Sequence, residues 1–130
     1  MAESNCRMEK GQRSRFDTIY KKLPELLPVE IPALLHGDLW TGNVMINEKG
    51  EPCLIDPAAY YGHREIELAF TRLFGGFGSE FYEAYDASFP LLPGFTERVD
   101  IYNLYPLMVH VNLFGGGYLQ QAERILKRYT

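Results

Sequence analysis

"LLHGDLWTGN", Leu34 to Asn43, places His36, Asp38 and Asn43 directly after a short apolar run. None of the three has strong strand propensity, so the stretch reads as a loop leaving a strand, where chemistry-bearing groups are held on a rigid scaffold. Outward from it, "VMI" at 44–46 and "CLI" at 53–55 flank "NEKGEP" and predict an antiparallel hairpin turning between Lys49 and Gly50. In that register paired residue numbers sum to 99 and Asn43 faces Asp56.

Opposed residues in such a pair have Cβ atoms about 4.5 to 5.5 Å apart, close enough for two side-chain oxygens to share one ion. Magnesium suits an amide and a carboxylate so placed, since it takes hard oxygen ligands and keeps water and substrate phosphates in its other positions. Asp38, five residues before Asn43, then lies beside the ion without ligating it. That is the place of a carboxylate that accepts a proton from, or orients, an acceptor hydroxyl in phosphoryl transfer.

The rest of the chain reads as mainly helical. Ser14 is a plausible cap for an amphipathic helix with Phe16, Ile19, Tyr20 and Leu23 on one face, stopped by Pro24 and Pro28; residues 1–15 are polar, aperiodic and expected to be flexible. Beyond Gly62, Ile66, Ala69, Phe70, Leu73 and Phe74 recur at helical spacing until "GGFG" at 75–78. "SEFYEAYDASF" predicts a short helix, "PLLPGF" a loop, and Thr96 a cap for a long apolar helix to Phe114, with Pro106 inside it. After "GGGY" at 115–118 a last amphipathic helix carries Leu119, Ala122, Ile125, Leu126 and Tyr129 on one face.

With 130 residues, 46% of them hydrophobic, the chain has enough apolar side chains for one sizeable core. The net charge of -4, with Lys and Arg scattered, leaves no electrostatic footprint for nucleic acid or an anionic membrane. Apolar runs are short and interrupted, so no segment is expected to span a bilayer. Cys6 and Cys53 show no framework spacing, which fits a reducing, cytoplasmic compartment.

The pattern H-x-D-x-x-x-x-N, followed by a hairpin and Asp, resembles the catalytic core of kinases. "HGDLWTGN" is nearer the aminoglycoside phosphotransferase branch than the protein kinases, because Gly37 stands in place of the usual Arg and "DPA" at 56–58 in place of D-F-G. Within that branch the chain resembles the fructosamine kinases, on Trp40, "DPAAYYGHREIELAFTRLFGGF" at 56–77 and "YNLYPLMVHVNLFGGGYLQQA" at 102–122. The resemblance covers most of residues 16–130 and implies an α+β, mainly helical fold: the C-terminal, large lobe of a protein-kinase-like fold with a short catalytic-loop hairpin. It also implies ATP- and Mg2+-dependent phosphorylation of a sugar hydroxyl on a ketosamine. Asp38 matches the catalytic aspartate, Asn43 and Asp56 the magnesium ligands, Met45 and Ile55 the floor of the nucleotide pocket, and Trp40 the approach of the acceptor sugar.

No Gly-rich phosphate-covering loop or strand Lys precedes the motif, so the resemblance is to an incomplete lobe. Its inter-lobe face would be covered by a missing N-terminal lobe or by self-association. Two other functions are open: a phosphotransferase for another hydroxylated amine, aminoglycoside- or choline-like, and a non-catalytic scaffold. Among neighbouring residues, His36 reads as a backbone hydrogen-bonding group and His63 and Arg64 as surface or capping residues. Glu65 and Glu67 suit a helix N-terminus, and Glu67 is also a candidate brace for the catalytic loop. His110 and Asn112 are either core residues or contacts to sugar hydroxyls.

Overall fold

The computed structural model describes residues 10–114 and 116–130. In chain order they form α1 (Lys10–Leu26), β1 (Ala33–Leu35), a single 3-10 turn (Thr41–Asn43), β2 (Val44–Ile46), β3 (Pro52–Leu54), β4 (Tyr60–Gly62), α2 (Arg64–Leu73), α3 (Ser79–Ser88), α4 (Phe95–Phe114) and α5 (Gly117–Tyr129). The fold is α+β and mainly helical, as expected. None of the described helices is long and apolar enough to cross a membrane.

The elements sort into two units. The helical unit holds α1, the part of α4 from Asn103 onward, and α5. Its buried apolar side chains are Ile19, Leu104, Leu107, Val111, Ala122, Ile125 and Leu126. Gln12 Nε2 donates to Glu123 Oε1, and Lys22 Nζ donates to the Tyr129 carbonyl at 3.0 Å, so both ends of α1 are tied to α5.

Two expectations for α1 are corrected. Of the segment predicted to be flexible, residues 1–9 lie outside the described residues, but 10–15 are helical. Lys, Gln and Arg are good helix formers that leave no apolar periodicity to read. Pro24 also fails to stop the helix, which runs on to Leu26. In the last turn the proline removes only the bond to the Tyr20 carbonyl, and the chain closes with Leu27 N–H donating to the Leu23 carbonyl at 3.0 Å.

The second unit, Val29–Tyr102, carries the two small antiparallel sheets. β1 pairs with β4, Leu34 opposite Tyr61, Leu35 is buried, and β1 packs near α2. β2 and β3 form the predicted hairpin, but Met45 lies opposite Cys53 and Val44 opposite Leu54, one residue out of the expected register. The cause is the loop. Asn47 N–H donates to the Glu51 carbonyl, and Asn47 Oδ1 accepts from the amides of Lys49 and Glu51, all at 2.9 Å, which centres the turn on Lys49. Gly50 completes it at φ 78°.

The face of α2 is corrected as well. Its buried residues are Arg64, Glu65, Leu68, Ala69 and Thr71, whereas Ile66 and Phe74 are exposed. Arg64 is buried because Glu30 pairs with its Nε and Nη2 at 2.9 and 3.1 Å while the carbonyls of Phe89 and Pro90 accept from it at 2.7 Å. His63 caps α2, its Nδ1 accepting from the Glu65 amide at 3.2 Å.

Candidate active site

The loop from His36 to Asn43 is held by its own side chains and by α2. Glu67 accepts from two successive backbone amides, His36 N–H at 3.1 Å and Gly37 N–H at 2.8 Å. Of the two readings of Glu67, the brace is therefore realised. His36 Nε2–H donates to the Ile55 carbonyl at 2.7 Å and its Nδ1 accepts from the Asp38 amide at 3.2 Å, contacts that fit the tautomer protonated on Nε2. The imidazole thus ties the loop to the strand that leads to Asp56, as its backbone-bonding reading requires.

Gly37 is required by sterics. At φ 87° it lies so close to the 56–58 segment that a Cβ would come 2.1 Å from the Ala58 carbonyl oxygen. The Ala58 amide donates to the His36 carbonyl at 2.8 Å, so two stretches carrying predicted site residues are laced together backbone to backbone.

Asn43 is buried, and its Nδ2 donates to the Asp38 carbonyl at 2.8 Å and to Asp38 Oδ2 at 3.2 Å. Both acceptors are oxygens, so the amide nitrogen faces Asp38 and Oδ1 is turned away. Among the described residues Asn43 Oδ1, Asp38 Oδ1 and both Asp56 oxygens accept no hydrogen bond. The amide oxygen of the buried Asn43 and the exposed Asp56 carboxylate are hard donors of the kind magnesium takes, while the half-buried Asp38 carboxylate keeps one oxygen for another partner.

The expected register of Asn43 against Asp56 is corrected. Ile55, not Asp56, is opposite Asn43: its amide donates to the Asn43 carbonyl at 2.9 Å. Asp56 is the next residue, and at φ 48° it is the single described non-glycine in the left-handed region. The same shift brings Met45, Cys53 and Ile55 onto one face of the hairpin, because residues directly opposite or two apart share a face. Met45 is exposed and Ile55 half-buried there.

Trp40 is 43% exposed, and its ring lies over Gly42, where a Cβ would come 2.2 Å from Cη2. Gly76, at φ 99°, approaches Thr41 so closely that a Cβ would come 2.6 Å from Cγ2. "GGFG" therefore also abuts the loop from His36 to Asn43, a contact that its reading as a helix end did not include. His110 and Asn112 belong to the helical unit, where the His110 ring lies 5.1 Å from that of Tyr118 and its Nδ1–H donates to the Pro106 carbonyl at 2.7 Å.

A family model for fructosamine kinase matches residues 2–130. The chain belongs to the fructosamine kinase family. Among curated members, it is 55% identical over 75% of its length to a "Probable ketoamine kinase" of Synechocystis sp., covering 33% of that protein. It is 48% identical over 84% of its length to the "Ketosamine-3-kinase" of Mus musculus, covering 36% of it. A crystal structure of a "putative fructosamine-3-kinase" from Thermobifida fusca superposes over 98% of the chain and 45% of its own, with TM-score 0.88 and 35% identity. The chain thus spans about a third of the length of the curated family members it matches.

The residues that family resemblance did not single out are Glu30, Arg98 and Tyr102. Arg98 Nε and Nη2 donate to Glu65 at 2.8 and 2.7 Å, and Tyr102 Oη donates to Glu65 Oε2 at 2.8 Å. Burial pushes the Glu65 carboxyl up, but hydrogen bonds from Arg98 and Tyr102 and the Arg98 charge outweigh it and hold the group below its ordinary value. Burial, together with the Glu65 carboxylate, pushes the Tyr102 phenol well up. Only the Glu65–Arg98 charge complement was visible in sequence, and a separation of 33 positions hid it.

Proposed function

We propose that this chain supplies the catalytic loop of an ATP-dependent kinase that phosphorylates a sugar hydroxyl on ketosamines, the adducts of reducing sugars with amines. The observation that carries the reading is Asp38 fixed by Asn43 and by the Glu67-braced backbone, with free oxygens on Asp38, Asn43 and Asp56. The names of the family members support the acceptor class.

In this reading Asp38 accepts the proton of the acceptor hydroxyl as its oxygen bonds the γ-phosphorus and the bridge to the β-phosphate breaks, releasing ADP. Asn43 keeps Asp38 oriented through Nδ2 and offers Oδ1 to magnesium, and Asp56 offers a carboxylate to the same ion. When bound, magnesium neutralises phosphate charge. Met45 and Ile55, on one hairpin face, form the floor for the nucleotide base. Trp40 presents its ring to the sugar or its amine substituent. The exposed free thiol of Cys53 agrees with a reducing, cytoplasmic setting.

Phosphoryl transfer depends on positioning, which supplies about 7 to 11 kcal/mol of barrier lowering when geometry is right. Among the described residues no Gly-rich loop and no Lys on a strand precedes His36 to hold the phosphates. The 130-residue chain alone is accordingly expected to turn over slowly, and a longer form carrying those parts to work at enzymatic rates.

The test is phosphoryl transfer from ATP with magnesium to a fructosyl amine, an aminoglycoside and choline in parallel, using this chain and a longer form. Turnover of the fructosyl amine that falls about 10²- to 10⁴-fold in Asp38→Asn is expected. Preference for the aminoglycoside or choline would assign a different acceptor. Nucleotide binding without transfer in every form would show a scaffold.

A further inference from the structure

Glu65 is completely buried, and its carboxylate is ion-paired with Arg98. It lies two residues before Glu67 in the first turn of α2. At 3.6 residues per turn, side chains two apart leave a helix about 200° from each other. One carboxylate therefore reaches α4, where it meets Arg98 and Tyr102, while the other reaches the amides of His36 and Gly37. Arg98 is itself anchored: Nη1 donates to the Pro93 carbonyl at 2.8 Å and Nη2 to that of Leu92 at 3.1 Å.

A buried ion pair is a poor way to gain stability, because desolvation cancels much of the attraction and apolar residues of equal volume do as well. What the bidentate guanidinium–carboxylate fork adds is direction, since two parallel hydrogen bonds fix both distance and rotation. Leu68 and Ala69 hold α2 against the core through apolar contact, which is non-directional and does not by itself fix the rotation of the first turn. A change in that rotation would carry the Glu67 carboxylate away from two amides that it now meets at 3.1 and 2.8 Å.

We propose that Arg98, Glu65 and Tyr102 are positioning residues for the catalytic loop: they set the place and rotation of the first turn of α2, and thereby the Glu67 carboxylate that holds His36 and Gly37 beneath Asp38. Their importance for catalysis rests on the phosphoryl-transfer reading of Asp38. Their mechanical role does not.

The test measures amide hydrogen exchange, residue by residue, in the whole 130-residue chain and its variants. Glu67→Gln, which breaks the brace directly, is the positive control and accelerates exchange at His36 and Gly37. Arg98→Lys keeps the charge but loses the fork. It is expected to raise exchange at His36 and Gly37 about fivefold or more, with α5 amides such as Ile125 and Leu126 unchanged. Tyr102→Phe keeps the fork, removes one donor and gives a smaller increase at the same two amides, and it decides the matter should Arg98→Lys fail to fold. Wild-type exchange at His36 and Gly37 in whichever variant folds would overturn the proposal. In a longer form that turns over, Arg98→Lys lowers kcat and leaves the KM for ATP unchanged. Absence of turnover in every form, wild type included, would defeat the kinase reading and leave the exchange result standing.

Discussion

Gly37→Ala should destabilise the chain far more than Gly50→Ala, although both replace a glycine of positive φ, 87° and 78°. Each substitution forces an L-residue into the left-handed region, at a cost of about 1 to 2 kcal/mol. At Gly50 an added Cβ meets nothing within 4 Å, so that cost is the whole effect. At Gly37 the methyl would stand 2.1 Å from the Ala58 carbonyl oxygen and 2.7 Å from its carbon. Both obstacles are backbone, so no rotamer change relieves them, and the two segments must part by about 1 Å to restore van der Waals contact. The Ala58 N–H···O=C His36 bond, now 2.8 Å, does not survive that, and the Gly37 amide is drawn from Glu67. Losing one neutral and one charge-assisted hydrogen bond adds about 2 to 4 kcal/mol. The difference between the two variants is thus expected near 2 to 4 kcal/mol, a large part of a typical domain's 5 to about 15. Urea unfolding of wild type and both variants, followed by far-UV circular dichroism, measures it. Equal midpoints for Gly37→Ala and Gly50→Ala would refute the claim that the 56–58 segment is packed against the loop from His36 to Asn43.

Three further outcomes are expected. Because the Glu65 carboxyl is held below its ordinary value, its contribution to stability is full above the unfolded-state value of about 4.3 and is lost as pH falls through the native one; urea midpoints of wild type and Glu65→Gln should differ at pH 7 and converge toward pH 3, and a constant gap would contradict this. Trp40 is the only tryptophan, and Gly42→Ala would place a methyl 2.2 Å from its ring, so the fluorescence emission maximum should move to longer wavelength as the ring is displaced into water; an unchanged spectrum would show that the ring does not lie over Gly42. Asp56→Asn should raise the magnesium concentration needed for ATP binding at least about tenfold, since loss even of groups that only support a metal ligand costs that much; titration with the nucleotide in both proteins tests it, and an unchanged requirement would remove Asp56 from the ion.

Features governed by neighbours in the chain were legible. Glycine stops after α2 and before α5, the helical period of α5, and the spacing from His36 through Asp38 to Asn43 all act over a few residues, and the structure keeps them. Features governed by distant partners were not. Counting apolar residues along α2 selected Ile66 and Phe74, yet Arg64 and Glu65 are the ones inside, because Glu30 and Arg98 lie 34 and 33 residues away and neutralise them there. The pairing of "ALL" with "YYG" across the catalytic loop and hairpin left no local trace either.

The hairpin register shows how one side chain can decide a site. A loop turning between Lys49 and Gly50 would pair Met45 with Leu54 and Val44 with Ile55, placing Met45 and Ile55 on opposite faces. That register favours an Asn43–Asp56 pair but cannot give the common nucleotide floor that family resemblance assigns to Met45 and Ile55. Asn47 removes the conflict by accepting from two amides of its own loop, which makes the turn one residue longer and brings Met45 opposite Cys53, two residues from Ile55. Asp56 then falls one step beyond the pairing, in a left-handed conformation that only a local bend in the chain explains. The bend at Asp56 is thus what the proposed site requires once Met45 and Ile55 share a face: a regular strand cannot put both Ile55 and its successor on the face of Asn43, and only a turn of the backbone between them could bring the Asp56 carboxylate there.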